Sequence, residues 1–309
     1  MLKRDEFAKD SGAWCNLNKP ELSEQEVDIV VFGIPFDEGV SYRAGASGGP
    51  SVLRENTFAS TPYTEHFESM ASMKVHDAGD FMCENRDDLF EEVTSYVCEL
   101  VKNDIFFTAV GGDHSVSIPL EAGIDRALNE QFGIIHIDAH FDLCDELGGD
   151  PLSHGSVQRR ALDLQNIRGT DNLYFVGIRS IEPDEFEFKQ KNTINVQNAY
   201  NCHKLGIEKV AEDVVEKMSK FNKVYITVDI DCLDPAFAAG TGTPQFGGLY
   251  SRQLLELLEI IFKKLNIIAF DVVEVAPALD PSLTAMFAAR KIITESWGHF
   301  ARKIGKLEK

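Results

Sequence analysis

Three short apolar runs in this chain each end abruptly in carboxylates or histidine, and few folds tolerate that pattern. Phe132–Asp138 passes directly into Asp138-Ala-His-Phe-Asp142. Val224-Tyr-Ile-Thr-Val-Asp229 passes into Ile230-Asp231, and Ile105–Val110 into Gly111-Gly-Asp-His-Ser115. Runs that are apolar on both faces suit the strands of a parallel sheet covered by helices on each side. Further strand candidates are Val27–Gly33, Leu173–Ile178 and Ile267–Val273. Helical periodicity fills the gaps. In Gly206–Lys220 the apolar residues Ile207, Val210, Ala211, Val214, Val215 and Met218 form one stripe, and Leu89–Val101, Leu254–Leu265 and Leu283–Phe300 read the same way. Strands alternating with helices predict one α/β domain over residues 1–309 with a parallel sheet. Ligands of such sheets gather at the carboxyl ends of the strands, where all three motifs fall.

Alternate side chains of an extended segment share a face, so Asp138, His140 and Asp142 can converge on one point, as can Asp229 and Asp231. Buried unpaired charges are costly, and a cation compensates them. The glycines before Asp113 let the chain turn sharply and bring His114 into the same cleft, with Ser115 capping a helix from near Val116 and Asp113 orienting an imidazole. His136, inside its strand, reads as packed or supporting, and Asp234 as a turn residue bonded to local backbone. Four aspartates and two histidines form an oxygen-rich set that favours manganese over zinc. Six protein ligands suit two Mn2+ ions about 3.5–4 Å apart, bridged by a hydroxide acidic enough to act as nucleophile near neutral pH.

Composition narrows the partners. The formal charge is −20, without the clustered Lys and Arg that nucleic acid requires; it reads first as a source of solubility and, more sharply, as attraction for a cationic small molecule. No apolar stretch is long enough to span a bilayer, and the N-terminus lacks the apolar run of a secretory signal. The six scattered cysteines form neither a CxxC pair nor a zinc spacing, and read as free thiols in a reducing cytoplasm.

Taken in order, Gly111-Gly-Asp-His-Ser115, Asp138-Ala-His-Phe-Asp142, Thr227-Val-Asp-Ile-Asp-Cys-Leu-Asp-Pro235, Gly240-Thr-Gly-Thr-Pro244, Gly247-Gly248 and Asp271-Val-Val-Glu-Val-Ala-Pro277 resemble the ureohydrolase family of arginases and agmatinases. The resemblance implies a three-layer α/β/α fold with a mostly parallel eight-stranded sheet, a binuclear manganese centre, and hydrolysis of a guanidino group to urea and an amine. It also implies a homo-oligomer, a trimer or hexamer. By position, His114, Asp138, His140, Asp142, Asp229 and Asp231 match the family's metal ligands, and Asp142 is placed to handle a proton as well. Glu274 matches the glutamate that binds the guanidinium, and His154 the histidine that shuttles a proton to the leaving amine. Thr243 is expected to bond the substrate or Glu274, and Arg43 with Gly45, Gly48 and Gly49 resembles a family stretch at the site rim or an interface.

The loop Leu143–Ser153 carries Asp145, Glu146 and Asp150 in place of the Asn and Ser residues with which arginases hold an amino-acid head group. Acids suit a cationic tail, which points to agmatine and to putrescine as product, with Glu182 a further tail-binding candidate. Arg159 and Arg160, just past His154, keep a carboxylate-tailed substrate open: guanidinobutyrate, guanidinopropionate, formiminoglutamate or arginine. Two other readings remain, a metal-binding homologue without turnover and a one-zinc deacetylase of related fold.

Overall fold

Side chains alternate across each strand, and that alternation sorts the core into two layers. In the computed structural model, which describes residues 1–308, Ile29 and Val31 of β2 (Ile29–Ile34) join one layer, and Val30, Phe32 and Ile34 the other. β8 (Val224–Asp229) splits in the same way, with Val224, Ile226 and Val228 on one face and Tyr225 on the opposite one. Helices Gly49–Asn56, Ile207–Met218, Ser251–Lys264 and Thr284–Lys303 cover the first face. Helices Arg86–Lys102 and Ser117–Ala127 cover the second. The result is the expected three-layer α/β/α sandwich.

The sheet has nine strands rather than eight, in the order β1-β3-β2-β4-β9-β8-β5-β6-β7. The others are β1 (Leu2–Lys3), β3 (Val75–Phe81), β4 (Phe106–Gly111), β5 (Gly133–Ile137), β6 (Leu173–Val176), β7 (Asn195–Gln197) and β9 (Ile267–Val273). All neighbours are parallel except β1, which pairs antiparallel with β3. β3 escapes a reading by apolar runs because it carries acids. The buried Arg54 explains them: its Nε donates to Asp77 Oδ2 at 2.7 Å and its Nη2 to Asp80 Oδ1 at 2.7 Å. Trp14 Nε1 donates to the same Asp77 oxygen at 2.6 Å.

Register places Asp271 of β9 beside Thr227 of β8, and Thr227 beside His136 of β5. This row of polar side chains crosses the apolar sheet on the face covered by Ser117–Ala127. From that helix Ser117 Oγ donates to Asp271 Oδ2 at 2.6 Å, and Tyr225 donates its hydroxyl to the same oxygen.

Glu121, on the same helix, is buried and accepts Gln158 Nε2 at 2.9 Å. Among the described residues, Glu121 Oε2 and Gln158 Oε1 lack partners, and a proton on the carboxyl supplies the missing donor. Burial accordingly pushes Glu121 up to about 8. Its carboxyl is therefore held protonated in the folded state across a pH range in which the unfolded chain ionises it, so stability falls as pH rises from about 4.5 to about 8. Glu121→Gln is expected to flatten that slope in urea unfolding compared at pH 5 and pH 8. An equal slope in both proteins would refute the assignment.

Candidate metal centre and cleft

The four strands at the middle of the sheet, β4, β9, β8 and β5 in spatial order, deliver the site from their carboxyl ends. His114 follows β4, Glu274 follows β9, Asp229 ends β8, and Asp138 follows β5. After β4 the chain passes so close to another segment that only glycine fits. A Cβ on Gly112 would lie 1.6 Å from the Phe36 carbonyl oxygen. Asp113 does not orient an imidazole. Its Oδ1 accepts Ser115 N at 2.9 Å, so Asp113 rather than Ser115 caps the short helical turn His114–Val116, and its Oδ2 accepts Gly39 N at 2.8 Å.

The state of His114 follows from its partners. Its Nε2 is 2.8 Å from Thr227 Oγ1, whose single proton goes to Asp271 Oδ1 at 2.7 Å. Thr227 must therefore accept from His114 Nε2–H, so Nδ1 is the nitrogen that can offer a lone pair. Burial lowers the imidazolium's pKa, but the neighbouring carboxylates outweigh it and raise it well above the usual value, so a cation binds there in exchange for the Nδ1 proton. That nitrogen is 3.0 Å from Asp138 Oδ2, 3.0 Å from Asp142 Oδ2 and 3.4 Å from Asp229 Oδ2, yet makes no hydrogen bond. A histidine nitrogen facing three carboxylate oxygens in the interior is a cation-binding arrangement. His136 stacks on His114 with ring centroids 4.9 Å apart, and its Nε2 is 3.1 Å from Asp138 Oδ2. A second cluster adjoins the first. His140 Nδ1 is 3.4 Å from Asp138 Oδ1 and 3.2 Å from Asp231 Oδ2. Asp138 belongs to both clusters, one oxygen turned to each. The donor set fits divalent ions.

Two site residues adopt left-handed backbone without being glycine: Asp142 at φ 53° and Glu274 at φ 62°. Such conformations cost about 1–3 kcal/mol each and persist where the surroundings enforce them. The Asp142 carbonyl accepts Gln158 N at 2.9 Å and Arg159 N at 3.1 Å, and Glu274 N donates to Gly112 O at 2.8 Å. Glu274 Oε1 accepts His114 N at 3.0 Å and lies 2.9 Å from His154 Nδ1. Burial lowers the His154 imidazolium's pKa, but the Glu274 bond and charge, with Asp142 and Asp113, outweigh burial and raise it to about 9.

A cavity of about 160 Å³ opens above the clusters, lined by His140, Asp142, His154, Glu182, Glu185 and Thr243 among others, with no lysine or arginine. Thr243 Oγ1 is 3.5 Å from Asp231 Oδ2 rather than bonded to Glu274. Asp145 and Glu146 are exposed and outside the cavity lining. Asp145 is ion-paired with Arg159 (3.3 Å) and Arg160 (2.8 Å), and Asp150 with Arg86 (2.5 Å). Asp145 and both arginines are thus engaged with one another, and neither they nor Glu146 and Asp150 line the cavity. Asp234 is the turn residue expected, accepting Ala236 N, Gly247 N and Gly248 N.

Two residues of the site carry no local motif. Glu185 is buried at the cavity wall and holds Leu143 N and Glu182 N, each at 2.8 Å. Arg179 donates to the carbonyls of Asp231 (2.7 Å), Leu233 (3.2 Å) and Gln245 (2.6 Å), tying the Asp231 turn to the glycine-rich loop. Its own N donates to Ala139 O at 2.8 Å, between Asp138 and His140.

Comparison with known proteins agrees with this geometry. Residues 27–296 match the Arginase family. An agmatinase of Halalkalibacterium halodurans is 37% identical over 86% of this chain and 90% of its own length. A guanidinobutyrase of Pseudomonas aeruginosa is 31% identical over 82% of this chain and 80% of its own. The solved proclavaminate amidinohydrolase of Streptomyces clavuligerus superposes with a TM-score of 0.85 at 29% identity, covering 96% of this chain and 99% of that one. The chain belongs to the arginase family. Within that family it is a ureohydrolase, most similar to agmatinases.

Thr227→Val removes the acceptor that sets the His114 tautomer. Calorimetric titration of the metal-stripped protein with Mn2+ is expected to give roughly 10–100-fold weaker binding, as for other residues supporting a ligand. Unchanged affinity would show that Thr227 does not orient His114.

Proposed function

We propose that this ureohydrolase hydrolyses agmatine to putrescine and urea with two manganese ions held by His114, Asp138, His140, Asp142, Asp229 and Asp231. One observation carries the substrate: the outer cavity wall presents Glu182 and Glu185 and neither lysine nor arginine, while Arg159 and Arg160 are paired with Asp145. A carboxylate tail would meet repulsion there, and an ammonium tail attraction. The two-cluster arrangement about Asp138 supports a pair of ions, and the oxygen-rich donor set supports manganese.

Bound divalent ions supply an acidified water and stabilise developing negative charge. The chain's own residues do the rest. Glu274 orients the guanidinium, Glu182 receives the far amine, Thr243 lines the reacting end, and His154 passes a proton to the departing nitrogen. The six unpaired thiols favour a reducing cytoplasm. The family resemblance favours a trimer or hexamer, which light scattering tests.

Urea release is expected to show higher kcat/KM for agmatine than for arginine, guanidinobutyrate, guanidinopropionate or formiminoglutamate, with two manganese per chain by elemental analysis. A preference for any of the other four would overturn the substrate. No urea from any of the five, with metal bound, would indicate a homologue without turnover, and one zinc per chain would favour the deacetylase reading. Asp142→Asn is expected to weaken metal binding and lower kcat by orders of magnitude. Because the His154 imidazolium persists to about 9, its contribution as a proton donor is present below that pH and lost above it, so kcat should fall as pH rises through about 9. His154→Asn should abolish that limb of the profile.

A further inference from the structure

The loop between β2 and helix Gly49–Asn56 carries the Arg43-x-Gly45 stretch, which the proposed chemistry leaves without a role. It is built to hold one position. Asp37 Oδ2 accepts Gly45 N at 2.8 Å and Ser47 Oγ at 2.9 Å. Arg43 donates from Nε to Gly242 O at 2.9 Å and from Nη2 to Thr241 O at 2.9 Å. Gly39 is held from both sides, its N donating to Asp113 Oδ2 at 2.8 Å and its carbonyl accepting His154 N at 3.0 Å.

This frame sets Ser41 against the outer nitrogen of His154. Ser41 N is 3.0 Å from His154 Nε2, and Ser41 Oγ is 2.8 Å from the same atom. The inner nitrogen, Nδ1, faces Glu274. Ser41 is exposed whereas His154 is buried.

We propose that Ser41 is a positioning residue that keeps His154 hydrogen-bonded in both protonation states and links it to solvent. When the imidazole is neutral, the Ser41 N–H donates to the lone pair on Nε2, so the ring proton sits on Nδ1, toward Glu274 and the guanidinium. When the imidazole is charged, Nε2–H donates to Ser41 Oγ. Exchange with solvent occurs at Nε2: its proton passes to Oγ as the hydroxyl proton passes to water, and serine is left unchanged. Once Nδ1–H has gone to the departing amine, Nε2–H stays on Ser41 Oγ until Nδ1 regains a proton from water in the cleft. Glu274, Asp142 and Asp113 are the charged groups that face the ring.

The role rests on reading His154 as the group that protonates the departing amine, so the test has an arm independent of turnover. In the manganese-loaded protein, Ser41→Ala is expected to lower kcat for urea release about tenfold with KM within twofold, a loss within the range of positioned proton transfer. Added imidazole buffer should restore part of the loss, and Ser41→Thr most of it. In parallel, Ser41→Ala should speed carbethoxylation of His154 by diethyl pyrocarbonate several-fold, read by peptide mass spectrometry. Wild-type kcat in Ser41→Ala, or a loss that neither buffer nor Ser41→Thr relieves, would overturn the proposal. So would an unchanged modification rate. Absence of urea from the unmutated protein would instead sink the ureohydrolase chemistry and leave the modification rates to decide whether Ser41 covers Nε2.

Discussion

The structure turns on the crowding of carboxylates about one imidazole nitrogen. His114 Nδ1 looks at Asp138, Asp142 and Asp229, and Asp138 looks onward to His140 and Asp231. Such a group of like charges in a protein interior is stable only with compensating positive charge. The four strands that bring these residues together lie side by side in one parallel sheet, so the hydrogen-bonded ladder itself opposes the repulsion. Local restraint adds to it: Asp138 Oδ1 accepts His140 N at 2.6 Å and Asp229 Oδ1 accepts Asp231 N at 2.7 Å. Each acid is partly satisfied by its own turn, which keeps the remaining oxygens aimed inward.

Beneath the clusters, orientation is passed on by the sheet rather than by loops. The row Asp271–Thr227–His136 is set by strand register, and a one-residue slip of any of the three strands would send its member to the opposite face. The tautomer of His114, and with it the direction of its lone pair, is therefore a consequence of how β8 and β9 pair. The cleft mouth is organised differently. There Arg179, Glu185 and Asp37 act through main-chain groups, each fastening loops that would otherwise move independently.

How much of this was legible in the sequence depended on whether the signal was local. β8 and β9 run as expected from their apolar residues, and the other expected strands differ only at their ends. β3 was not legible because Asp77 and Asp80 interrupt its apolar pattern, and the partner that satisfies them, Arg54, lies on a distant helix. β1 and β7 are too short and too polar to announce themselves. The clustered aspartates and His140 stood out through i, i+2 spacing at strand ends, and His114 through the glycine turn after β4. Glu185, Arg179 and Ser41 did not, because their roles arise from contacts far along the chain. The loop acids misled for the converse reason: a run of acids signals charge but not direction, and Asp145 and Asp150 point to arginines outside the cavity.

The separation between a sheet-set centre and a loop-set mouth has a consequence for how such a protein can change. The residues that wall the cavity, Cys144, Leu147, Ser180, Ile181 and Glu182, lie on connecting segments, whereas those that orient His114 are locked in strand register. Exchanging the former alters what shape and charge can enter, with little strain passed to the centre. Exchanging the latter disturbs the reacting end whatever the substrate. The chain is in this sense divided into a part that can drift and a part that cannot. That division fits a fold shared by an agmatinase, a guanidinobutyrase and a proclavaminate amidinohydrolase.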